Sequence, residues 1–308
     1  GFKETGAEGA EAEKQLLAKV REYGMRCVGP NCLGVVNTHP DIRMDGCFAE
    51  SLPERGNIGF VSQSGALGGG ILNILKDLNL GFAQFISIGN QADVNAETAL
   101  EYWENEADVE QILLYMESIQ NPANFRKLAS RISKKKPILA LKAGRSAAGA
   151  SAASSHTGSL AGADKAANAL LGQSGVIREY SLKDLFATAK VFANCPIPKG
   201  NRVAIITNSG GPGIMATDAV CEHGMQMAKI SDATKEKLRS FLPSAASVKN
   251  PIDMIASAPI EHYQQTLETV IADENVDMII TIYLPFLGLK DIDVAKALME
   301  IKAKNPQK

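Results

Sequence analysis

One histidine, one carboxylate and two small-residue turns carry the chemistry this sequence offers. His156 stands in Ser155-His156-Thr157-Gly158, near the centre of residues 144–162, a stretch of Ala, Ser and Gly with almost no bulky side chain. Such a stretch builds little core of its own, and its composition predicts a long functional loop. Neutral imidazole is a nucleophile, and an unperturbed pKa of ~6.5 leaves it largely neutral near pH 7. A carboxylate bonded to one ring nitrogen fixes the tautomer and leaves the other free to attack phosphorus. Glu117, in Tyr115-Met116-Glu117-Ser118-Ile119, is the candidate orienter, because it ends an apolar strand at the edge where open α/β sheets place their sites. On its own it reads as a solvated strand-end carboxylate, and its role depends on a nearness to His156 that spacing does not measure. His39, His223 and His262 are read as surface or structural residues.

Two turns are suited to an anion. Ser62-Gln63-Ser64-Gly65-Ala66-Leu67 follows an apolar strand over 57–61, and Asn208-Ser209-Gly210-Gly211 follows a second strand that starts at Val203. Each leads into a helix, whose first N–H groups and positive dipole end suit a phosphate or a carboxylate. The donors are Ser62, Ser64 and Gly65 in the first turn, and Asn208, Ser209, Gly210, Gly211 and Gly213 in the second. Aimed at a phosphorylated histidine, each helix end contributes on the order of 1–2 kcal/mol. Neither turn carries the Gly-Lys-Ser/Thr of a nucleotide-binding P-loop, and neither completes a dinucleotide fingerprint.

The elements that must position these groups form a tandem repeat. Ile58-Gly59-Phe60-Val61-Ser62-Gln63-Ser64-Gly65 is echoed by Val203-Ala204-Ile205-Ile206-Thr207-Asn208-Ser209-Gly210, and the run 108–115 is echoed by 275–282. Strand-like runs at 83–88, 111–116 and 137–141 alternate with helical stretches, the rhythm of a parallel sheet covered on both faces. The copies diverge where chemistry would matter: Glu117 ends the first copy's strand and Leu284 occupies the aligned position of the second. Prolines and a glycine in Cys195-Pro196-Ile197-Pro198-Lys199-Gly200 mark the boundary between the copies. Upstream, a helix over 4–23 and a short buried strand over 25–28 read as the end of a βα domain whose beginning precedes Gly1.

With 308 residues, 45% hydrophobic and 21% charged, the chain has room for two or three domains. Its net charge of −2 offers no electrostatic footprint for nucleic acid or an anionic membrane. No run approaches the ~18 apolar residues of a membrane span and no signal peptide opens the chain, so a cytoplasmic location is expected. The five cysteines match no zinc spacing and are expected to be free, with no metal site.

Four ordered motifs give the chain a family resemblance. Gly29-Pro30-Asn31-Cys32-Leu33-Gly34, Ser62-Gln63-Ser64-Gly65-Ala66-Leu67, Ser87-Ile88-Gly89-Asn90-Gln91-Ala92-Asp93-Val94 and Ser155-His156-Thr157-Gly158-Ser159-Leu160-Ala161-Gly162 resemble signatures of the ADP-forming acyl-CoA synthetases, in the succinyl-CoA synthetase-like superfamily. The resemblance implies two flavodoxin-like parallel-sheet domains, at 54–196 with the phosphohistidine loop and at 197–308, after the C-terminal part of a Rossmann-like CoA-binding domain at 1–53. It implies His156 as the phosphorylated residue, on a loop that swings between sites, and Glu117 as the group that orients and stabilises phosphohistidine. Ser64-Gly65 and Ser209-Gly210-Gly211 are implied at the two helix N-termini facing it, and Asn31 and Cys32 near the thiol end of CoA. The implied reaction is acyl-CoA, phosphate and ADP to acid, CoA and ATP, through an acyl phosphate and phosphohistidine. ADP/ATP and Mg are expected on an ATP-grasp domain or subunit outside this chain, and the whole is expected to be an oligomer.

Two rival readings stay open. A catalytically silent acyl-CoA-binding regulatory module would share the architecture, but would have no use for the His156 imidazole. A non-enzymatic ligand-binding pair of domains would explain the repeat, but not the Ala/Ser/Gly segment around that histidine.

Overall fold

The structure, a computed structural model, describes residues 1–157, 164–285 and 291–306, except for the side chains of 153–157 and 291. The chain divides into two compact units, Gly1–Asn194 and Cys195–Lys308.

In the first unit a 3-10 turn at Lys3–Thr5 precedes helix α1 (Ala7–Glu22) and the hairpin β1 (Gly34–Asn37) and β2 (Met44–Cys47). Then follow β3 (Arg55–Ser62), α2 (Gly65–Ile74), β4 (Phe82–Ser87), α3 (Ala96–Trp103), β5 (Gln111–Met116), α4 (Pro122–Ile132), β6 (Ile138–Lys142), α5 (Ala147–Thr157), α6 (Asp164–Gln173), β7 (Ile177–Glu179) and α7 (Leu182–Asn194). The strands form one sheet in the order β2-β1-β4-β3-β5-β6-β7, parallel from β4 to β7. Strand alternation sends neighbouring side chains to opposite faces. Phe60, Leu113 and Leu139 meet Ile71, Leu72, Leu185 and Phe186 of α2 and α7. Val61, Ile112, Leu114 and Ala140 meet Leu100, Trp103, Phe125, Leu128 and Leu171 of α3, α4 and α6. Each such fully buried side chain is worth roughly 1.5–3 kcal/mol over its exposed state. Helices start where the sequence supplies caps: Asn95 accepts from the Thr98 N–H at 2.9 Å, and Asn121 from Asn124 at 3.0 Å ahead of Pro122.

Residues 1–53 pack with the first unit: β1 runs antiparallel to β4 and extends the same sheet. The buried strand expected over 25–28 reduces to one bridge, Val28 to Val94, with Met25 54% exposed. Four residues without a pairing partner along their length cannot hold an extended strand.

The second unit contains β8 (Arg202–Thr207), α8 (Gly210–Glu222), β9 (Gln226–Met227), α9 (Asp232–Arg239), β10 (Ile252–Asp253), α10 (Ile260–Ile271), β11 (Met278–Ile282) and α11 (Asp291–Lys304). β8 is central, paired in parallel with β11 on one side and with β9 and then β10 along the other. Ala204 and Ile206 pack with Leu238, Leu267, Val270 and Val294, while Val203 and Ile205 pack with Val220 of α8. The α/β architecture with two parallel-sheet units is as the sequence predicts.

Gly59, in the centre of β3, is required by close packing: a methyl group there would stand 2.9 Å from the Trp103 ring and 2.9 Å from Val109 Cγ1. Gly59→Ala is expected to destabilise the first unit by about 1–3 kcal/mol through overpacking. Trp103 is the single tryptophan, so its fluorescence during urea unfolding reports this unit, and an unchanged midpoint would refute the packing argument.

Candidate functional site

The first turn is built by side chains that close on the backbone. β3 ends at Ser62, whose hydroxyl is wholly buried and donates to the Ser64 carbonyl at 2.7 Å, so it shapes the turn from beneath. Ser64 caps α2, its hydroxyl accepting from the Leu67 N–H at 3.3 Å. Gly65 opens the helix against Leu33, where a methyl group would meet the Leu33 nitrogen at 3.3 Å.

That turn forms one wall of a cleft of about 370 Å³, and Asn31, Cys32, Phe48 and Asn90 line it with Ser64 and Gly65. The expected CoA-thiol residues and two of the expected phosphate donors, Ser64 and Gly65, therefore share one cavity although they are more than 30 positions apart in sequence, while Ser62 does not line it. Two of the quoted motifs zip together to make this possible. The Asn90 N–H donates to the Pro30 carbonyl at 2.9 Å, Ala92 to Gly29 at 3.0 Å, and the Leu33 N–H to Ser87 Oγ at 2.9 Å. Gly89 sits at φ +47°, where a methyl group would lie 2.2 Å from the Asn31 carbonyl oxygen, so only glycine allows the approach. Asn31 Nδ2 donates to Asn90 Oδ1 at 3.2 Å, and Asn90 Nδ2 in turn donates to Glu4 and Glu13 at 2.7 and 2.8 Å. Asp93 accepts from Arg26 and the Cys27 N–H, and the Arg26 guanidinium holds its carboxyl below the usual range. At the cleft mouth Phe48 is 80% exposed and offers an apolar face.

Glu117 follows β5 and is buried, 9% exposed. Gln63 joins it to the turn: Gln63 Oε1 accepts from the Glu117 N–H at 2.7 Å and from the Ser118 N–H at 3.0 Å, and Gln63 Nε2 donates to Ser118 Oγ at 3.0 Å. One strand over, Lys142 is 4% exposed, its ammonium donating to the Ala143 carbonyl at 2.6 Å, and burial pushes its pKa down. Burial, aided by the Glu117 charge, pushes the Tyr115 hydroxyl up.

Of the segment 144–162, expected as one long loop, residues 147–157 are helical: α5 runs from Ala147 to Thr157, with Ser146 Oγ accepting from the Gly149 N–H at 3.0 Å. Alanine's helix propensity outweighs the serines and the glycine here. His156 falls in the last turn of α5, and its side chain, with residues 158–163, lies outside the described residues.

The second unit repeats the turn with different ends. Thr207 Oγ1 donates to the Ser209 carbonyl at 2.8 Å, matching Ser62, and Asn208 exchanges two bonds with Leu284, at 2.8 and 2.9 Å, matching Gln63. Ser209 makes no side-chain cap on α8, and Gly210 and Gly211 begin that helix. The Asp253 carboxylate stands beside this end, 3.3 Å from where a Gly210 methyl would be. Gln63, Asn90 and Asp253 were missed by residue reasoning. Only Gln63 had a signal, the carboxamide shared with Asn208 at one position of the repeat.

Residues 55–192 match the model of the succinyl-CoA ligase like flavodoxin domain and residues 203–302 that of the ligase-CoA domain. The chain is 44% identical over 301 residues to the alpha subunit of acetate–CoA ligase [ADP-forming] II of Pyrococcus furiosus, covering 97% of this chain and 65% of that one. It is 40% identical to acetate–CoA ligase [ADP-forming] I of Archaeoglobus fulgidus, covering 99% of this chain and 44% of the relative. Among solved structures, the dinucleotide forming acetyl-coenzyme A synthetase 1 of Ca. Korarchaeum cryptofilum, in complex with phosphate and ADP, superimposes with a TM-score of 0.91 at 33% identity. That match covers 99% of this chain and 65% of the other. The chain thus spans about two thirds or less of these relatives.

Burial pushes the Cys32 thiol above its ordinary value, with the neighbouring Cys27 adding to the shift. At neutral pH Cys32 is therefore a thiol, and its thiolate fraction grows only as pH rises past the ordinary thiol range. Peptide-resolved iodoacetamide labelling of Cys32 is expected to keep accelerating above about pH 9. A plateau near neutrality would contradict a half-buried, uncharged thiol.

Proposed function

The chain belongs to the ADP-forming acyl-CoA synthetases of the succinyl-CoA synthetase-like superfamily, and on that premise we propose that it forms the acyl-transfer and phosphohistidine part of an enzyme that interconverts acyl-CoA, phosphate and ADP with acid, CoA and ATP. The observation that carries this reading is the single cleft shared by Asn31 and Cys32 with the Ser64–Gly65 turn, next to which Gln63 fastens Glu117. Attack of phosphate on a thioester needs an anion cradle and a thiol-end pocket within bonding distance of each other.

In the proposed sequence, phosphate held by the N–H groups of the α2 turn attacks the thioester carbonyl. A C–O bond forms, the C–S bond breaks, and the CoA thiolate leaves beside Asn31 and Cys32. The uncharged, desolvated surroundings of Cys32 let a thioester sulfur lie there without a competing protein thiolate. Phe48 gives the acyl or pantetheine chain an apolar wall. A neutral ring nitrogen of His156 then attacks the phosphorus of the acyl phosphate; the N–P bond forms as the P–O bond to the acid breaks, and the carboxylate departs. Glu117 accepts the N–H of the other ring nitrogen, and its negative charge stabilises the imidazolium that develops. In the second unit, Ser209, Gly210 and Gly211 at the start of α8 are proposed as phosphate donors of their own turn.

The phosphoryl group then passes to ADP on an ATP-grasp domain or subunit. Among the described residues no three His, Cys, Asp or Glu side chains gather where a metal ion could bind. By the family resemblance Mg is proposed to bind with the nucleotide on the ATP-grasp part, and no step in this chain runs through it. Among the described residues no helix is long and apolar enough to cross a membrane, and the proposed setting is the cytoplasm.

The test is incorporation of acid-labile, base-stable phosphate from radiolabelled acetyl phosphate into the purified chain. Wild type is expected to be labelled, His156→Ala not at all, and Glu117→Gln about 10²-fold more slowly, since Gln keeps an acceptor for the ring N–H but loses the charge. A folded wild type that binds acyl-CoA yet takes up no label would instead identify an acyl-CoA-sensing module.

A further inference from the structure

The hydrogen bonds of Gln63 say more than that a turn is well made. Gln63 is the second residue after the core of β3 and lies between the two serines of the anion turn, yet its side chain does not cap α2. It is 5% exposed, and its carboxamide is aimed at residues 117 and 118. Its orientation is unambiguous: Oε1 takes two backbone N–H groups, so Nε2 must be the atom that meets the Ser118 hydroxyl. Its own N–H donates to the Tyr115 carbonyl at 3.0 Å, so backbone and side chain together grip the end of β5 before and after Met116. The second unit shows the same device at a strand that does not end in a carboxylate. There Asn208, one methylene shorter, exchanges only two bonds with Leu284, a residue that carries no charge. The longer amide, with an added acceptor bond and a hydroxyl partner, is found in the copy whose strand ends in a carboxylate.

We propose that Gln63 is a positioning residue that locks the phosphate-cradling turn and the Glu117 backbone into one frame, so that the anion and the orienter of the nucleophile hold a fixed spacing. The proposal rests on the reading of Glu117 and His156 given above. It makes Gln63 necessary for the rate of phosphoryl transfer, while phosphate binding by the α2 turn, which Ser62 and Ser64 shape independently, depends on it little.

The experiment measures the rate of labelling by acetyl phosphate at saturation, the half-saturating concentration, and the Kd of inorganic phosphate, for wild type, Gln63→Met and Gln63→Glu, with His156→Ala as the blank. Gln63→Met, which loses all three side-chain bonds, is expected to label roughly 10- to 100-fold more slowly, with half-saturation and phosphate Kd within about threefold of wild type. Gln63→Glu keeps the two accepted N–H bonds but puts a second carboxylate beside Glu117, and two such groups force one to hold a proton. Its rate relative to wild type is expected to rise as pH falls from about 8 to about 6, when the protonated carboxyl again donates to Ser118, whereas the Gln63→Met ratio stays flat. That pH signature belongs to a charge at the site and not to a general loss of structure, and Gln63→Glu carries the test if Gln63→Met does not fold. A Gln63→Met rate within about twofold of wild type overturns the proposal, as does a rate loss matched by an equal loss of phosphate affinity. These outcomes leave the phosphohistidine reading intact; an unlabelled wild type overturns that reading and this inference together.

Discussion

When a strand of a parallel sheet gives way to a loop, backbone groups at its end and its neighbours' ends lose their ladder partners, and each one left buried costs about 1–3 kcal/mol. The end of β3 meets this demand with side chains instead of backbone. Ser62 holds the Ser64 carbonyl, Ser64 holds the first turn of α2, and Gln63 holds two N–H groups beyond the end of β5. These bonds close the turn entirely with groups of the chain itself. The requirement that buried polar groups be paired thus fixes the path from β3 into α2.

The same economy explains how the cleft acquires its second wall. The segment from Gly29 to Leu33 has no strand of its own to sit in, and the loop after β4 satisfies its Gly29 and Pro30 carbonyls through the Ala92 and Asn90 N–H groups. That contact is close enough to demand glycine at position 89, and Asn90 then ties the junction to the acidic side chains of Glu4 and Glu13. The N-terminal residues become part of the first unit by this route and through the β1–β2 hairpin, and Asn31 and Cys32 arrive at the Ser64 turn as a consequence. These backbone bonds act together with Leu33 and Val36, which are buried in the same core as Ile71 and Leu72 of α2.

The two units show one backbone device put to different chemical use. Ser62 and Thr207 make the same hydroxyl-to-carbonyl bond, and Gln63 and Asn208 make the same bridge to the adjacent strand's end. What differs is what is bridged and what stands near the helix start: a carboxylate follows β5 in one, while Leu284 follows β11 and Asp253 flanks α8 in the other. Repetition of a turn therefore says nothing by itself about repetition of a site.

Much of this was legible along the chain, for reasons that are local. Short continuous apolar runs such as Ile58–Val61 or Ile112–Met116 place strands because a parallel sheet covered on both faces buries successive side chains alike, and the order of strand, small-residue turn and helix follows from that. The repeat, the boundary prolines, the two turns, Glu117 and His156 are one-dimensional signals of the same sort. The helix at Ala147–Thr157 was misread because a composition poor in bulky residues was taken for loop, although alanine favours helix. The roles of Gln63, Asn90 and Asp253 lay beyond the sequence, since each depends on a hydrogen bond or a close approach to a residue at least 40 positions distant. Sequence by itself determined most of the strands and helices and the candidates for the reactive groups, because backbone periodicity and side-chain chemistry are local. The tertiary structure alone decided that Asn31, Cys32, Ser64 and Gly65 share a cleft and that Glu117 is fastened to it, because hydrogen bonding between distant segments depends on distance in space and leaves no period in the chain.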